Sequence, residues 1–226
     1  MSRRVCRTLV LIASATLAAC GTGSGLTAVA GSGDAATVRF VNATATPLDL
    51  ATGGVVSAAN ANIPPGSGVG CFAVDDPTTP SLTVRQAGAT TDLSGFAPTF
   101  ARGAAYTVVA YPGPSGFVQF ISVTTGAIPA TGRGALRVIN GSAGLGVVDV
   151  YVTTPAATLG TPNAIGIGFG GASSALDVSA GTVQVRLTNS GSTAVVFDAG
   201  NQLLEAGRSY TLVVSSATAV ILVPDC

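Results

Sequence analysis

In the stretch V-Q-V-R-L-T, Val183 to Thr188, Val183, Val185 and Leu187 alternate with Gln184, Arg186 and Thr188. Further on, Y-T-L-V-V-S, Tyr210 to Ser215, repeats the pattern, with Tyr210, Leu212 and Val214 alternating with Thr211, Val213 and Ser215. Successive side chains of an extended chain point to opposite faces, so a period of two marks a strand with one face against a core. Between such runs lie Pro112-Gly113, Asn140-Gly141 and Asn189-Ser190-Gly191, residues that turns favour. No window carries a capped stripe at helical spacing. The expected class is all-β.

Outward from these strands the chain echoes itself. V-R-F-V-N-A at Val38–Ala43 matches L-R-V-I-N-G at Leu136–Gly141, and P-L-D-L at Pro47–Leu50 matches V-V-D-V at Val147–Val150. L-T-V-R at Leu82–Arg85 matches V-Q-V-R at Val183–Arg186, and A-R-G-A-A-Y-T-V-V at Ala101–Val109 matches E-A-G-R-S-Y-T-L-V at Glu205–Val213. The four matches keep their order, with offsets rising from 98 to 104. Such a period is too long for a solenoid. It predicts two homologous domains, at 36–125 and 134–226, joined by Thr124 to Arg133. About seven short strands in each fit a β-sandwich. Tyr106 and Tyr210 fall at matching positions, each after a Gly-containing turn. That is the setting of a tyrosine corner, in which the phenol bonds back to the turn, or of simple core packing.

Composition excludes several chemistries. The 226 residues contain ten Arg but no Lys, nine Asp, one Glu (Glu205), and neither His nor Trp. Without His there is no Ser-His-Asp triad and no imidazole base; without Lys there is no Schiff base and no phosphate-loop lysine. A formal net charge of zero argues against nucleic acid, which demands a basic face.

The N-terminus reads as an address. Arg3, Arg4 and Arg7 make a positive segment, Thr8–Thr16 is apolar, and Leu17-Ala18-Ala19-Cys20 follows. The apolar run is too short to span a bilayer, which takes about 20 residues, and suits a secretory signal. Leu17–Cys20 resembles the bacterial lipobox, cut before a Cys that then carries lipid. The resemblance implies a signal peptide at 1–19 and lipidation of Cys20. Gly21, where an Asp would favour inner-membrane retention, points to the outer membrane. Removal of the first 19 residues leaves seven Arg against ten acidic residues, a net charge of −3. The Gly- and Ser-rich stretch at 20–35 is expected to be a flexible tether, with a reach of roughly 20 Å.

V-D-V-Y-V at Val148–Val152, followed by A-G-R-S-Y-T-L-V-V at Ala206–Val214, resembles a family of bacterial envelope domains catalogued as a domain of unknown function. The resemblance covers nearly all of the second unit and, more faintly, the first. It implies tandem sandwiches, immunoglobulin-like or transthyretin-like and antiparallel, on secreted or lipid-anchored proteins. Relatives commonly carry a His in the opening strand where this chain has Asn42 and Asn140.

Other candidates favour structural readings. Asp75-Asp76-Pro77 suits a turn better than a calcium site, which needs six to eight oxygens. Arg39 with Asp49, and Arg137 with Asp149, recur on what read as adjacent strands and are expected to form cross-strand ion pairs. Asn42-Ala43-Thr44 and Asn140-Gly141-Ser142 match the glycosylation sequon but read as strand-to-turn asparagines. Gly166, Gly168, Gly170 and Gly171 lack the lysine and helix of a phosphate loop and read as a Gly-rich edge. Any nucleophile would depend on Asp, Glu205 or Tyr for activation, and a carboxylate-pair hydrolase is the weakest reading. An outer-membrane barrel is rejected for its lack of aromatic girdles and long strands.

Cys6 leaves with the signal and Cys20 takes the lipid, so Cys71 and Cys226 remain. In an oxidising compartment they are expected to form a disulfide clamping the two units. The functional expectation is a non-enzymatic, lipid-anchored envelope protein, structural or adhesive. The alternatives are a loop-mediated binder of a glycan or peptide and the carboxylate-dependent hydrolase. No cofactor, metal or nucleic acid is expected; the partners are the membrane and other envelope proteins or glycans.

Overall fold

The computed structural model describes residues 35–226, apart from 79, 114, 115, 127, 217 and 218. The expected signal peptide, Cys20 and the expected tether up to 34 lie outside the described residues. The first half contributes β1 (Ala36–Asn42), β2 (Leu48–Thr52), β3 (Val55–Val56), β4 (Ser67–Gly68), β5 (Phe72–Val74), β6 (Leu82–Gln86), β7 (Asp92–Phe96), β8 (Ala105–Pro112) and β9 (Val118–Thr124). The second contributes β10 (Arg133–Asn140), β11 (Val148–Thr153), β12 (Ala164–Ile167), β13 (Leu176–Ser179), β14 (Gly181–Asn189), β15 (Val195–Leu204), β16 (Ser209–Ser216) and β17 (Ala219–Pro224). The protein is all-β: among the described residues the only helical pieces are short 3₁₀ turns, and no helix is long and apolar enough to cross a membrane.

Four open sheets result. In the first half β4-β1-β8-β9, with β5 also on β1, faces β3-β2-β6-β7; in the second, β13-β10-β16-β17 faces β12-β11-β14-β15. Val38, Phe40, Leu48, Leu50, Leu82, Val84 and Val108 share one buried cluster, drawn from both sheets of the first half. Leu136, Val138, Val148, Val150, Val185, Leu187 and Leu212 form its counterpart in the second. The period-two alternation fixes which face of each strand turns inward. The same edge is interrupted in both halves: β5 on β1 corresponds to β13 on β10, and the Val41–Gly68 pairing of β4 corresponds to the isolated bridge between Ile139 and Ala172.

One expectation is corrected. The sheets are not purely antiparallel, because β1 runs parallel to β8 and β10 parallel to β16. The crossover between partners spans the rest of each half, long enough for a parallel return. The registers agree between halves. Val38 lies opposite Tyr106 and Leu136 opposite Tyr210; Phe40 lies opposite Val108 and Val138 opposite Leu212.

The two inner sheets are buried on both faces. Val41, Val109 and Tyr111 of the first half pack against Ile139, Val213, Ile221 and Val223 of the second. Val41 corresponds to Ile139 and Val109 to Val213 in the repeat, so matching faces meet. This is the arrangement of a two-fold, isologous contact, made here within one chain. Cys71 and Cys226 are disulfide-bonded across it, with Cα atoms 5.9 Å apart and 155 residues of separation. By register Cys71 corresponds to Ala175 and Cys226 to Gly126. A Cβ placed on Gly126 would lie 3.5 Å from the Cβ of Ala175. The mirror position of the disulfide is therefore also a contact.

Candidate functional site

β1 and β8 finish at the same end of the molecule, since they are parallel. β2 begins there too, with Leu48 opposite Gln86, so 43–47, 87–91 and the residues Gly113 and Phe117 share that end. The second half repeats this with 141–147 and 190–194. The ring of Tyr111, at the end of β8, meets Phe169 edge-on at 5.3 Å, which brings the loop ends of the two halves together. Ala35, Thr124 and Arg133 lie at the opposite end, since they adjoin the strand ends there. Phe117, Leu93, Val147, Val195 and Phe169 are exposed on the loop end.

Polar side chains hold these loops from beneath. Asn42 and Asn140 are fully buried at the ends of β1 and β10. Asn42 Nδ2 donates to the Thr46 carbonyl at 2.8 Å and the Ile63 carbonyl at 3.0 Å, while its Oδ1 accepts from the Thr44 amide at 3.0 Å and Thr44 Oγ1 at 2.6 Å. Asn140 Nδ2 donates to the Gly146 carbonyl at 2.8 Å and the Ile167 carbonyl at 3.3 Å, and its Oδ1 accepts from the Ser142 amide at 3.2 Å. Both amide groups are committed and buried, so the sequons are structural. A buried side chain that satisfies several carbonyls at once replaces water those groups cannot reach.

Asp49 and Asp149 do the same for the neighbouring turns. Asp49 accepts the Asn62 amide at 2.6 Å and the Gly88 amide at 2.8 Å. Asp149 accepts the Gly191 and Gly166 amides, each at 2.8 Å, and Ser190 Oγ at 3.1 Å. Those donors favour the carboxylate, so the pKa of Asp149 lies below the ordinary Asp value. The Gly191 amide contributes most, then Gly166, against a smaller opposing effect of burial and with help from Ser190.

The expected Arg–Asp ion pairs are not formed. β1 and β2 belong to facing sheets rather than to one ladder, so Arg39 and Asp49 point to different places, as do Arg137 and Asp149. Arg137 Nη1 instead donates to the Thr124 carbonyl at 2.6 Å.

The tyrosine corners are present. Tyr106 Oη accepts the Ala101 amide at 2.9 Å and Tyr210 Oη the Glu205 amide at 3.3 Å, each five residues upstream. The Gly-rich run has two duties. Gly166, at φ 71°, turns its amide to Asp149. Gly170, also at φ 71°, leaves room for Tyr111, whose hydroxyl and ring occupy the space a Cβ would take. Burial raises the Tyr111 pKa.

A polar seam runs between the halves. Asp225 Oδ1 accepts Thr107 Oγ1 at 3.0 Å and Thr211 Oγ1 at 2.7 Å, two fully buried threonines at matching positions. Arg39 donates through Nη1 to the Val69 carbonyl at 3.1 Å and through Nη2 to Cys71 Sγ at 3.3 Å. Burial lowers the Arg39 pKa, and the Asp225 charge opposes that. The sequence reading missed Thr107, Thr211 and Asp225. The signal was in the matching Y-T-V-V and Y-T-L-V runs, where each threonine follows the corner tyrosine.

Asp76 Oδ1 accepts the Thr78 amide at 3.3 Å and Thr78 Oγ1 at 2.7 Å, the turn that Asp75-Asp76-Pro77 predicted. Among the described residues no group of three or more His, Cys, Asp or Glu could hold a metal ion. A depression of about 300 Å³ at the loop end is bordered by Thr44, Thr46, Gln86, Leu93 and Phe117. A second, of about 210 Å³, lies at the opposite end beside Cys226.

Residues 134–224 match the family described as a domain of unknown function, DUF4397. The matched span runs from the start of β10 to the end of β17, which is both sheets of the second half. No curated protein matches the chain.

Proposed function

We propose that this is a lipid-anchored cell-envelope protein with a structural or adhesive role and no catalytic activity of its own. In this reading it comprises two tandem sandwich domains, immunoglobulin-like or transthyretin-like, at 36–125 and 134–226, held at the outer membrane through lipid on Cys20. The observation that carries it is directional. Ala35, the point of attachment to the tether, sits at one end, and exposed Phe117 and Val147 on loops, with Leu93 at the start of β7, sit at the other. An anchored module of this shape presents its loops away from the bilayer. The carboxylates fit the same reading, since Asp49 and Asp149 hold backbone amides and Asp225, at the edge of the 210 Å³ depression, is engaged by two buried hydroxyls.

Fractionation of cells producing the full-length chain tests the anchor. Cys20→Ala should move the protein from membrane to soluble fractions; persistent membrane partition would refute lipidation. Adherence of the same cells to surfaces and to each other tests the loops. Phe117→Ser with Leu93→Ser should reduce adherence while leaving anchoring intact, and adherence unchanged even on removing the whole chain would dismiss the adhesive role. The depression bordered by Thr44, Gln86 and Phe117 favours a second reading, in which the loops bind a glycan or peptide of the envelope through one apolar wall and several hydroxyl and amide groups.

A further inference from the structure

The disulfide between the halves has two unlike sides. Cys226 lines the 210 Å³ depression, together with Thr125, Gly126, Pro224 and two charged residues of opposite sign, Arg208 and Asp225. Cys71 does not line it. Its sulfur receives the Arg39 Nη2 donor at 3.3 Å, from a guanidinium held in place by the Val69 carbonyl. Thiol–disulfide exchange is directional: the attacking thiolate takes one sulfur and the other leaves as a thiolate, faster when that thiolate is stabilised. A cation beside a sulfur favours its thiolate form. Both cysteines are half-buried; Arg39 therefore favours Cys71 as the sulfur that leaves and Cys226, at the edge of the depression, as the sulfur attacked.

We propose that Cys226 is a thiol-exchange site, a modification point for a dithiol reductant that docks at this depression. In the first step a thiolate of the dithiol bonds to Cys226 Sγ. The Cys226–Cys71 bond breaks and its electron pair goes to Cys71 Sγ, held as thiolate by Arg39. In the second step the other thiol of the reductant, as thiolate, attacks its own sulfur in the mixed disulfide and releases Cys226 as thiolate. The reductant is oxidised to a disulfide with loss of two electrons, and the protein gains two thiols once both thiolates take up protons. Release of Cys226 frees the end of β17 from the first half. The apolar face formed by Val41, Val109, Ile139 and Val213 keeps the halves docked.

This site is independent of the envelope reading, and its test is made on the oxidised full-length protein. Brief treatment with reduced glutathione, a monothiol that stops at the mixed disulfide, is followed by rapid alkylation and peptide mapping. The expected result is glutathione on Cys226 and the alkyl group on Cys71. Glutathione on Cys71, or equal amounts on both, would overturn the assignment. With dithiothreitol, Arg39→Met should slow reduction several-fold, on the order of tenfold at most, and Arg39→Lys should restore part of the rate. An unchanged rate in Arg39→Met, with the native hydrogen-exchange pattern retained, would remove Arg39 from the mechanism. If Arg39→Met does not fold, the mapping on the unaltered protein still decides the site.

Discussion

At the scale of single residues, Asp149 couples the loop end to pH. Its folded pKa lies below the ordinary value, because the Gly191 and Gly166 amides and Ser190 all point at the ionised carboxylate. As pH falls, the unfolded chain takes up a proton at this position before the folded chain does. The stabilisation is therefore complete above the ordinary carboxylate range. It fades as pH drops through that range towards the lower folded value. Asp149→Asn replaces one acceptor oxygen with an NH₂ that faces backbone donors. The variant should be less stable than the parent at neutral pH, and the difference should shrink as the solution is acidified below the carboxylate range. Urea unfolding at several pH values checks this, and a pH-independent difference would contradict it.

At the scale of elements, most of the strands were legible because alternation is local: Val183, Val185 and Leu187 declare their face without reference to anything distant. The repeat was legible for the same reason, since matched runs keep matched registers. Pairing was not legible. That β1 lies beside β8, and that β2 leaves for the facing sheet, depends on a crossover with no local mark, and this is why Arg39 and Asp49 were misread as neighbours. The candidate site was legible in part. The corner tyrosines and the Cys71–Cys226 bond follow from position and elimination, whereas the meeting of Tyr111 with the Gly168–Gly171 loop requires the packing of one half on the other. Gly170→Ala tests that meeting. It forces a side chain into a left-handed φ and onto the Tyr111 ring, and a loss of about 1–3 kcal/mol is expected by urea denaturation. Tyr111→Phe removes the hydroxyl that meets the new Cβ. The double variant should therefore lose measurably less than the sum of the two single ones.

At the scale of the whole molecule, the Cys71–Cys226 bond closes a loop spanning 155 residues. In the chain-entropy account such a closure is worth up to about 5 kcal/mol. Replacing both cysteines by Ser should lower stability by no more than that, while amides of β8 and β16 remain slow to exchange. Fast exchange in those strands would mean that the disulfide alone holds the halves together. The matching of the two faces makes a further demand. Gly126→Cys with Ala175→Cys should form a second bridge, because the Cβ separation of 3.5 Å sits within the disulfide range. Mass spectrometry of the alkylated, unreduced protein would show two fewer blocked thiols than the reduced sample for each bridge formed. Two free thiols at 126 and 175 would refute the near-symmetry.

Asp225 stands almost on the axis that relates the halves, where one carboxylate oxygen serves the threonines of both. Its counterpart by register is Thr125, whose amide bonds the Ala105 carbonyl just as the Asp225 amide bonds Ser209. Two second halves meeting through this face would bring two Asp225 carboxylates to the same small volume, each repelling the other and contesting the same pair of hydroxyls. A first half brings a neutral Thr instead. The acid therefore acts as a discriminator: it tells the second half apart from the first and sets each chain to close upon itself in preference to recruiting its neighbour's like half.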